Sequence, residues 1–266
     1  MTRKQLIQQI KSKKSYLCVG LDTDIARIPP HLLKYKNPIL EFNKQIIEAT
    51  QDVCVAYKPN LAFYEMYGAK GWETLDKTMQ LIPDSNFKIA DAKRGDIGNT
   101  SNMYAKAFLE NMNFDAITIA PYMGEDSIKP FLEIKNKWVI VLGLTSNKGS
   151  RDFQFLQSGK KPLYQKVIEK CMQFGTPENM MFVIGATHEE IFKAIRQFCP
   201  DHFLLVPGVG AQGGDLQKLS QFGLNKDIGL LVNATRSVIY AGNGKDFAEK
   251  ARAEALRMNQ IMKTFL

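Results

Sequence analysis

The sequence predicts a (β/α)8 barrel of the α/β class, one catalytic domain over residues 1–266, and three observations support this fold. Eight short apolar segments alternate with segments whose apolar residues recur at helical spacing, as in a parallel sheet covered by helices. No segment has the length of an interdomain linker. Polar or ionisable side chains follow most of the apolar segments. The alternative fold is a doubly wound open sheet, which shows the same alternation.

The first half of the chain contains four predicted strands, each short and apolar. They cover residues 15–21, 53–57, a segment that begins at Phe87 and carries Asp91 and Lys93, and residues 116–119. The predicted helices cover residues 1–14, 39–49, 71–81 and 100–111. Asp22 follows the first strand and Lys58 the second, so ionisable groups stand where strands end.

The second half continues the alternation after a connecting segment, residues 126–136. Its predicted strands cover residues 138–144, 181–185, 203–206 and 229–232. Its predicted helices cover residues 163–174, 188–198, 216–222 and 247–266. Thr187 is the expected N-cap of the helix that begins at His188, because a threonine oxygen can accept a free N–H of the first turn.

The charge pattern argues against nucleic acid as a partner, although the formal net charge is +8. The lysines are spread over helical segments without an arginine-rich stripe or interleaved aromatic residues. A diffuse positive field still attracts small polyanions such as phosphorylated metabolites. The N-terminus lacks a signal-peptide core, and no segment approaches the roughly 20 apolar residues of a membrane span, so we expect a cytoplasmic protein without a membrane partner.

The remaining composition argues against metal, disulfide and serine-nucleophile chemistry. The three histidines have no ligand-spaced partners, so no metal is expected. The chain lacks the Gly-x-Ser-x-Gly elbow of serine hydrolases. The cysteines lie apart without a Cys-x-x-Cys pair and are expected to be buried thiols: Cys18, Cys54, Cys171 and Cys199.

The segment KIADAKRGDIGNT, residues 88–100, carries the main candidate for catalysis. Side chains alternate along a strand, so Asp91 and Lys93 are predicted to share one face. Burying both charges is costly unless they pair, and proteins often accept that cost where the charges are used. Together with Asp22, Lys58 and Asp96 they could form an alternating array of charges. The alternative is an ion-pair network with only a structural role.

Two segments near the end of the barrel are suited to phosphate. Residues 207–215 read PGVGAQGGD and residues 232–237 read VNATRS. Glycine lets the backbone approach a ligand closely, and Arg236 can offer two parallel hydrogen bonds to phosphate oxygens. The loops after strands seven and eight are the usual phosphate site of such barrels. The alternative is that these glycines only form tight turns and that Arg236 pairs with a surface acid.

Together these motifs resemble the orotidine 5′-phosphate decarboxylase family, in its longer bacterial branch. Residues 91–100 resemble the family signature D-x-K-x-x-D-I. The resemblance extends over nearly the whole chain through LCVGLD, which ends at Asp22, VAYKPN around Lys58 and Asn60, LTSN at residues 144–147, PGVGAQGGD and NATRS. Lys148 departs from the family pattern, in which a proline is expected at this position after Ser-Asn.

The resemblance implies decarboxylation of orotidine 5′-phosphate to uridine 5′-phosphate, in de novo pyrimidine biosynthesis, without a cofactor. Lys93 would protonate C6, Asp91 would lie beside the substrate carboxylate, and Lys58 would bridge Asp91 and the ribose. Asp96 and Thr100 would reach into the site of a partner subunit in a homodimer. The implied substrate-binding residues are Asp22, Asn60, Thr100, Thr145, Ser146, Pro207, Gln212, Gly213, Asn233, Arg236 and Ser237. Which hydroxyl contacts the pyrimidine, that of Thr145 or that of Ser146, stays open.

Two other functions remain alternatives at this point. The D-x-K-x-x-D core is shared with metal-dependent barrel enzymes that act on a 3-keto sugar phosphate through an enediolate, and such an enzyme would need a divalent cation. A basic barrel could also bind nucleic acid or a regulatory phosphate without catalysis. In that case Lys93 would be dispensable.

Overall fold

A computed structural model describes residues 1–185, 189–209 and 215–266 and shows a closed barrel of eight parallel strands. The barrel strands are β1 (Leu17–Gly20), β2 (Ala56–Lys58), β3 (Phe87–Arg94), β4 (Ala116–Ile119), β5 (Trp138–Leu144), β6 (Met180–Ile184), β7 (Phe203–Pro207) and β8 (Leu230–Ala234). Each strand pairs with its neighbours in the chain, and β8 closes the barrel against β1. The prediction of a (β/α)8 barrel is confirmed.

Helices separate the strands and cover the outside of the barrel. The longer helices are Arg3–Lys13, Pro38–Thr50, Ala69–Leu81, Gly98–Ala105, Glu125–Leu132, Leu163–Cys171, Glu189–Phe198, Leu216–Gly223 and Phe247–Lys263. Shorter helical segments are Pro30–Lys34, Ala62–Glu65, Lys106–Asn111, Ser150–Phe153 and Arg236–Ile239, and a small hairpin pairs Gln157–Ser158 with Lys161–Pro162. Within the described ranges, no helix combines the length and apolar character that crossing a membrane requires.

The barrel strands are almost continuously buried, which explains their apolar sequences. Strands of a parallel sheet are covered on both faces and therefore lack the alternation of a half-exposed strand. Trp138 packs edge-on against Phe87 and Phe203, with ring centroids 6.1 and 6.3 Å apart. The four cysteines are buried and free, as predicted.

Several element boundaries differ from those predicted. The strand β2 begins at Ala56 because Val53 and Cys54 still donate their N–H groups to the carbonyl of Thr50 at 3.0 Å, in the turn that ends the preceding helix. The strand β8 extends to Ala234, and the helix predicted over residues 100–111 changes to a π-helix at Lys106. The predicted N-cap Thr187 and His188 lie outside the described residues.

Candidate active site

The carboxyl ends of the strands surround a cavity of about 390 Å³. Parallel strands of a closed barrel end at the same rim, so side chains that are distant in the sequence meet there. Six of the predicted site residues line this cavity: Asp22, Lys58, Asp91, Pro207, Asn233 and Arg236. The further lining residues are Asp24, Arg27, Phe63, Gly208, Val209, Thr235 and Tyr240.

A buried carboxylate between two amines forms the centre of the site. The Nζ atom of Lys58 lies 2.6 Å from Oδ2 of Asp91, and Nζ of Lys93 lies 2.5 Å from Oδ1. Lys58 and Asp91 are buried, whereas the side chain of Lys93 is 50% exposed. The shared carboxylate therefore has one amine below it in the barrel and one at the rim, where a ligand can approach.

The contact between Asp91 and Lys93 does not come from a regular pleat. The pairing of β3 with β4 shifts at this point, so that Ala90 pairs with Ile117 and Arg94 pairs with Ile119. Lys93 has a φ of 47°, in the left-handed region that costs a residue with a Cβ roughly 1–2 kcal/mol. The prediction of a shared face on a regular strand was therefore wrong in its geometry, because a bulge brings the two side chains together.

The two lysines keep Asp91 ionised although it is buried. Burial alone raises the pKa of a carboxyl group, but Lys58 and Lys93 outweigh that effect and hold the pKa of Asp91 well below its ordinary value. Burial likewise lowers the pKa of the Lys58 amine, and the carboxylates of Asp91 and Asp22 reverse the effect and raise it above the ordinary value. At neutral pH this part of the site is a fixed array of charges.

Asp22 differs from Asp91 because its burial is less fully compensated. Burial raises the pKa of Asp22, and the positive charge of Lys58 offsets this only in part. Its Oδ1 atom is buried and has no hydrogen-bond partner within the described part of the chain. The turn that holds it is fixed by Tyr240, whose hydroxyl donates to the Asp22 carbonyl at 3.2 Å and accepts the N–H of Asp24 at 2.8 Å. A buried acceptor beside the cavity is suited to a ligand hydroxyl.

Asn60 stands next to the charged cluster. Its backbone forms a bridge with Asp91, and its side chain is near enough to Asp22 to lower the pKa of that carboxyl slightly against the effect of burial. Its side-chain oxygen accepts the N–H of Ala62 at 3.2 Å and so helps to end β2 in a tight turn.

The opposite side of the cavity contains the residues predicted to bind phosphate. Pro207 ends β7, and Gly208 has a φ of 95°, a conformation that favours glycine. Asn233 is 6% exposed, and its Oδ1 atom has no partner among the described residues. Arg236 is exposed at the start of the helix Arg236–Ile239, which also contains Ser237. Gln212 and Gly213 lie outside the described residues.

The loop after β5 holds the two candidate pyrimidine ligands. The Thr145 hydroxyl donates to Oδ1 of Asn147 at 2.6 Å and accepts from Nε2 of Gln154 at 2.8 Å. Oε1 of Gln154 also accepts the N–H of Thr145 at 2.8 Å. Ser146 packs so closely on Gly185 that a Cβ added to the glycine would lie 2.7 Å from the serine Cβ. These contacts fix the loop at the rim.

Asp96 and Thr100 are not part of the cavity lining within the described chain. Asp96 is partly exposed, and its Oδ1 atom accepts the N–H of Ile97 at 2.8 Å. Thr100 is exposed near the start of the helix Gly98–Ala105. Lys93 and Ser146 are likewise not part of that lining.

Several residues near the site were not predicted from the sequence. The guanidinium of Arg27 lies 4.0 Å from the ring centroid of Tyr240, and both residues line the cavity. Their segments are more than 200 residues apart, so no local pattern could pair them. Thr118 contacts Asp91 from β4, and Gln154 holds Thr145. In the sequence, the one feature that could have pointed to Thr118 is its position next to the end of an apolar strand.

The closed barrel and the charged cluster at the carboxyl ends of its strands define a (β/α)8-barrel enzyme. The sequence profile of the Orotidine 5'-phosphate decarboxylase / HUMPS family matches residues 15–251. The chain belongs to this family, which confirms the resemblance found in the sequence.

Individual relatives match over nearly their full length. The orotidine 5'-phosphate decarboxylase of Flavobacterium johnsoniae is 57% identical over 265 residues, which cover 98% of this chain and 97% of the relative. That of Phocaeicola vulgatus is 52% identical and covers 100% and 99%. The solved structure of Leishmania donovani OMP decarboxylase has a TM-score of 0.83 and 35% identity, with 98% of this chain and 100% of that chain covered.

Proposed function

We propose that this protein decarboxylates orotidine 5′-phosphate to uridine 5′-phosphate in pyrimidine biosynthesis. Membership of the family and relatives of more than 50% identity support this activity. The observation that carries it is the Asp91 carboxylate between the amines of Lys58 and Lys93 at the barrel mouth. This arrangement supports the proposal because Asp91 lines the cavity and its carboxylate holds an amine that could donate a proton.

Lys93 is the proposed acid. When the bond between C6 and the carboxylate carbon breaks, carbon dioxide leaves and the electron pair of that bond stays on C6. A fixed ammonium group next to C6 stabilises this charge as it develops, without a cofactor to delocalise it. Lys93 then transfers a proton to C6 and recovers one from solvent, which its half-exposed side chain can reach.

Asp91 and Lys58 orient the acid. Because its pKa is held low, Asp91 remains a carboxylate and keeps the Lys93 ammonium within 2.5 Å. A substrate carboxylate bound nearby meets this negative charge, and the repulsion is relieved when carbon dioxide leaves. Lys58 and Oδ1 of Asp22, which has no partner among the described residues, are proposed to hold the ribose hydroxyls.

The far side of the cavity is the proposed phosphate site. Arg236 offers a guanidinium fork, and Asn233, Pro207 and Ser237 lie on the same rim. From the sequence, Gln212 and Gly213 are proposed to complete it. Binding energy from this remote group can orient the pyrimidine over Lys93, so loss of the phosphate contacts should lower turnover as well as affinity.

For the pyrimidine, we propose that a hydroxyl of the loop after β5 contacts the base, that of Thr145 or that of Ser146. The Thr145 hydroxyl donates to Asn147 and accepts from Gln154, and these bonds hold the loop at the rim. Asn60, whose backbone forms a bridge with Asp91, is proposed to contact the ribose.

We also propose a homodimer in which Asp96 and Thr100 serve the partner's cavity. Exposed apolar side chains are adjacent to these two residues in the sequence and in the loop after β4, where Met123 approaches Gly95: Ile97 is 55% exposed, Met103 51%, Tyr122 96% and Met123 44%. Such a patch next to polar residues is typical of a protein interface. A second copy of the chain would cover the patch.

Subunit mixing tests this dimer. The Lys93→Ala and Asp96→Ala variants are each expected to be inactive. After unfolding and refolding together, about a quarter of the wild-type sites should recover, because half of the dimers are mixed and each mixed dimer has one site with both residues. No recovery above the separate variants would mean that Asp96 does not act across subunits.

The activity itself is tested by the ultraviolet absorbance of orotidine 5′-phosphate on addition of the purified protein. We expect turnover that excess EDTA does not change, since the proposed chemistry needs no metal or other cofactor. Absence of turnover would refute the proposal. Loss of activity in EDTA with recovery in magnesium would favour the metal-dependent enzymes of the same barrel group. One catalytic domain over residues 1–266, a cytoplasmic location and the absence of a nucleic-acid partner stay predictions from the sequence.

A further inference from the structure

Thr118 is a buried residue of β4 that faces the bulge carrying Asp91 and Lys93. It is 1% exposed. The pairing of Ala90 with Ile117 and of Arg94 with Ile119 leaves Thr118 alone opposite three residues of β3. The regular ladder of backbone hydrogen bonds is interrupted at this point, so the bulge needs other partners for its N–H groups.

The Thr118 hydroxyl supplies these partners. Its oxygen accepts the N–H groups of Ala92 and Lys93, both at 3.0 Å. The hydroxyl donates its hydrogen to Oδ1 of Asp91, and the two oxygens are 3.1 Å apart. A hydroxyl group has one hydrogen to donate and two lone pairs to accept with, so all three are in use.

These bonds hold the backbone and the carboxylate of the site together. The N–H of Lys93 is fixed while that residue is in the left-handed conformation, with a φ of 47°. The same oxygen of Asp91 that receives the Thr118 hydrogen bond also receives Nζ of Lys93 at 2.5 Å. One hydroxyl thus sets the position of Asp91 relative to the start of the Lys93 side chain.

We propose that Thr118 is a positioning residue for the reaction, which fixes the Lys93 amine over the substrate through the bulge and the Asp91 carboxylate. This inference rests on the proposed decarboxylation. Thr118 does not line the cavity within the described chain. Its loss should therefore change the geometry of the acid and leave the phosphate and ribose contacts intact.

The test compares Thr118→Val, which keeps the shape of the side chain and removes the hydroxyl, with Thr118→Ser, which keeps the hydroxyl. For Thr118→Val we expect kcat to fall on the order of 10²-fold, because a displacement near 1 Å at a reacting group has that effect. The KM and the Kd for uridine 5′-monophosphate should stay within about threefold of wild type, as expected when an interaction made only in the transition state is lost. Thr118→Ser should retain kcat within about threefold.

Near-ultraviolet circular dichroism establishes that each variant is folded. If Thr118→Val does not fold, Thr118→Cys replaces it, and its weakly bonding thiol should lower kcat about tenfold with unchanged nucleotide affinity. Wild-type kcat in folded Thr118→Val or Thr118→Cys, or equal losses in the valine and serine variants, would overturn the inference. Wild-type turnover is measured first, so failure of the proposed decarboxylation is recognised separately, by an inactive wild-type protein.

Discussion

At the amino ends of the barrel strands the guanidinium of Arg196 donates four hydrogen bonds, to the carbonyl oxygens of Cys199, His202, Gly223 and Gly229. At the carboxyl ends the Lys58 amine is paired instead with the Asp91 carboxylate beside a cavity. Both cations are largely buried. Arg196 binds backbone carbonyl groups that the fold holds in place. Lys58 instead faces side chains whose hydrogen-bond partners can change when a ligand binds.

This difference separates a stabilising use of buried charge from a catalytic one. Burial lowers the pKa of Arg196 to about 10, yet the group stays charged at neutral pH and holds the loops before β7 and β8. At the mouth, charges of opposite sign balance each other, and the buried acceptor atoms of Asp22 and Asn233 have no partner in the described chain. Variants at the two ends should therefore separate activity from stability.

The largest effect is expected at the mouth for Lys93→Ala. Removal of the acid should lower kcat by roughly 10⁴-fold, the upper range for loss of a general acid or of a charge that stabilises the transition state. The fold should be retained, because the side chain is half exposed and Asp91 keeps its bonds to Lys58 and Thr118. Steady-state kinetics and the Tm measure both quantities.

Lys160→Ala is the matched control for that variant, because Lys160 is an exposed lysine away from the cavity. It should leave kcat and Tm unchanged. A Lys93→Ala protein with more than a tenth of the wild-type kcat would show that the mouth does not use this amine as proposed.

The next effect is expected at the amino ends for Arg196→Met. The substitution leaves carbonyl oxygens without their charged hydrogen-bond donor, and this loss should lower the free energy of unfolding by about 3 kcal/mol. For a protein of this size that is a fall in Tm of roughly 8 °C. The kcat of the folded fraction should not change, and Lys193→Met, an exposed position on the same helix, is the control. A loss of kcat with unchanged Tm in Arg196→Met would show that the charge at the amino ends serves activity and not stability.

The third effect is a dependence of stability on pH that arises at His202. Burial, with Arg3 and Arg196 nearby, lowers the pKa of His202 from 6.5 to about 4. The unfolded chain takes up a proton near pH 6.5 and the folded protein does not, so stability is full above that pH and falls as the pH decreases toward 4. Between pH 7 and 5 the loss should be about 2 kcal/mol.

Urea unfolding at several pH values measures this loss in the wild type and in His202→Gln. The variant should lose most of the dependence in that window. The pKa of Asp91 is lowered, so its contribution is lost only below the ordinary range of an aspartate. The raised pKa of Asp22 acts in the opposite direction to His202 as the pH falls, and it does so equally in the wild type and the variant. If the free energy of unfolding of the variant changed with pH as steeply as that of the wild type, the dependence would belong to another group.

The smallest effect is expected for Asp22→Asn, and it should have opposite signs for stability and activity. Burial raises the pKa of Asp22, so the ionised carboxylate at neutral pH disfavours the fold. The neutral amide should raise the Tm by about 2 °C. It should also lower kcat/KM for orotidine 5′-phosphate, since a ribose acceptor is lost. A lower Tm would show that the attraction to Lys58 outweighs the cost of burial.

Patterns within short sequence segments predicted many of the charged residues at the mouth of the barrel. Lys58 and Asp91 were placed at strand ends because apolar segments stop there, and in a closed barrel those ends meet. The bulge at Lys93 was not foreseen, since it depends on how β4 pairs with β3, and nothing in residues 88–94 specifies that pairing. Gln154 and the Arg27–Tyr240 pair were missed for the same reason.

The sequence by itself determined the number and order of the strands and the charged residues at their ends, because burial on both faces leaves an apolar signal in each strand. Only the tertiary structure decided how those charges are arranged. The contact between Asp91 and Lys93 follows from a register shift against β4, and the Asp22 carboxylate, whose Oδ1 has no partner among the described residues, stands in a turn that Tyr240 holds. Both features depend on partners that are distant in the sequence, β4 for the bulge and Tyr240 for the turn, so their geometry is set only when the barrel closes.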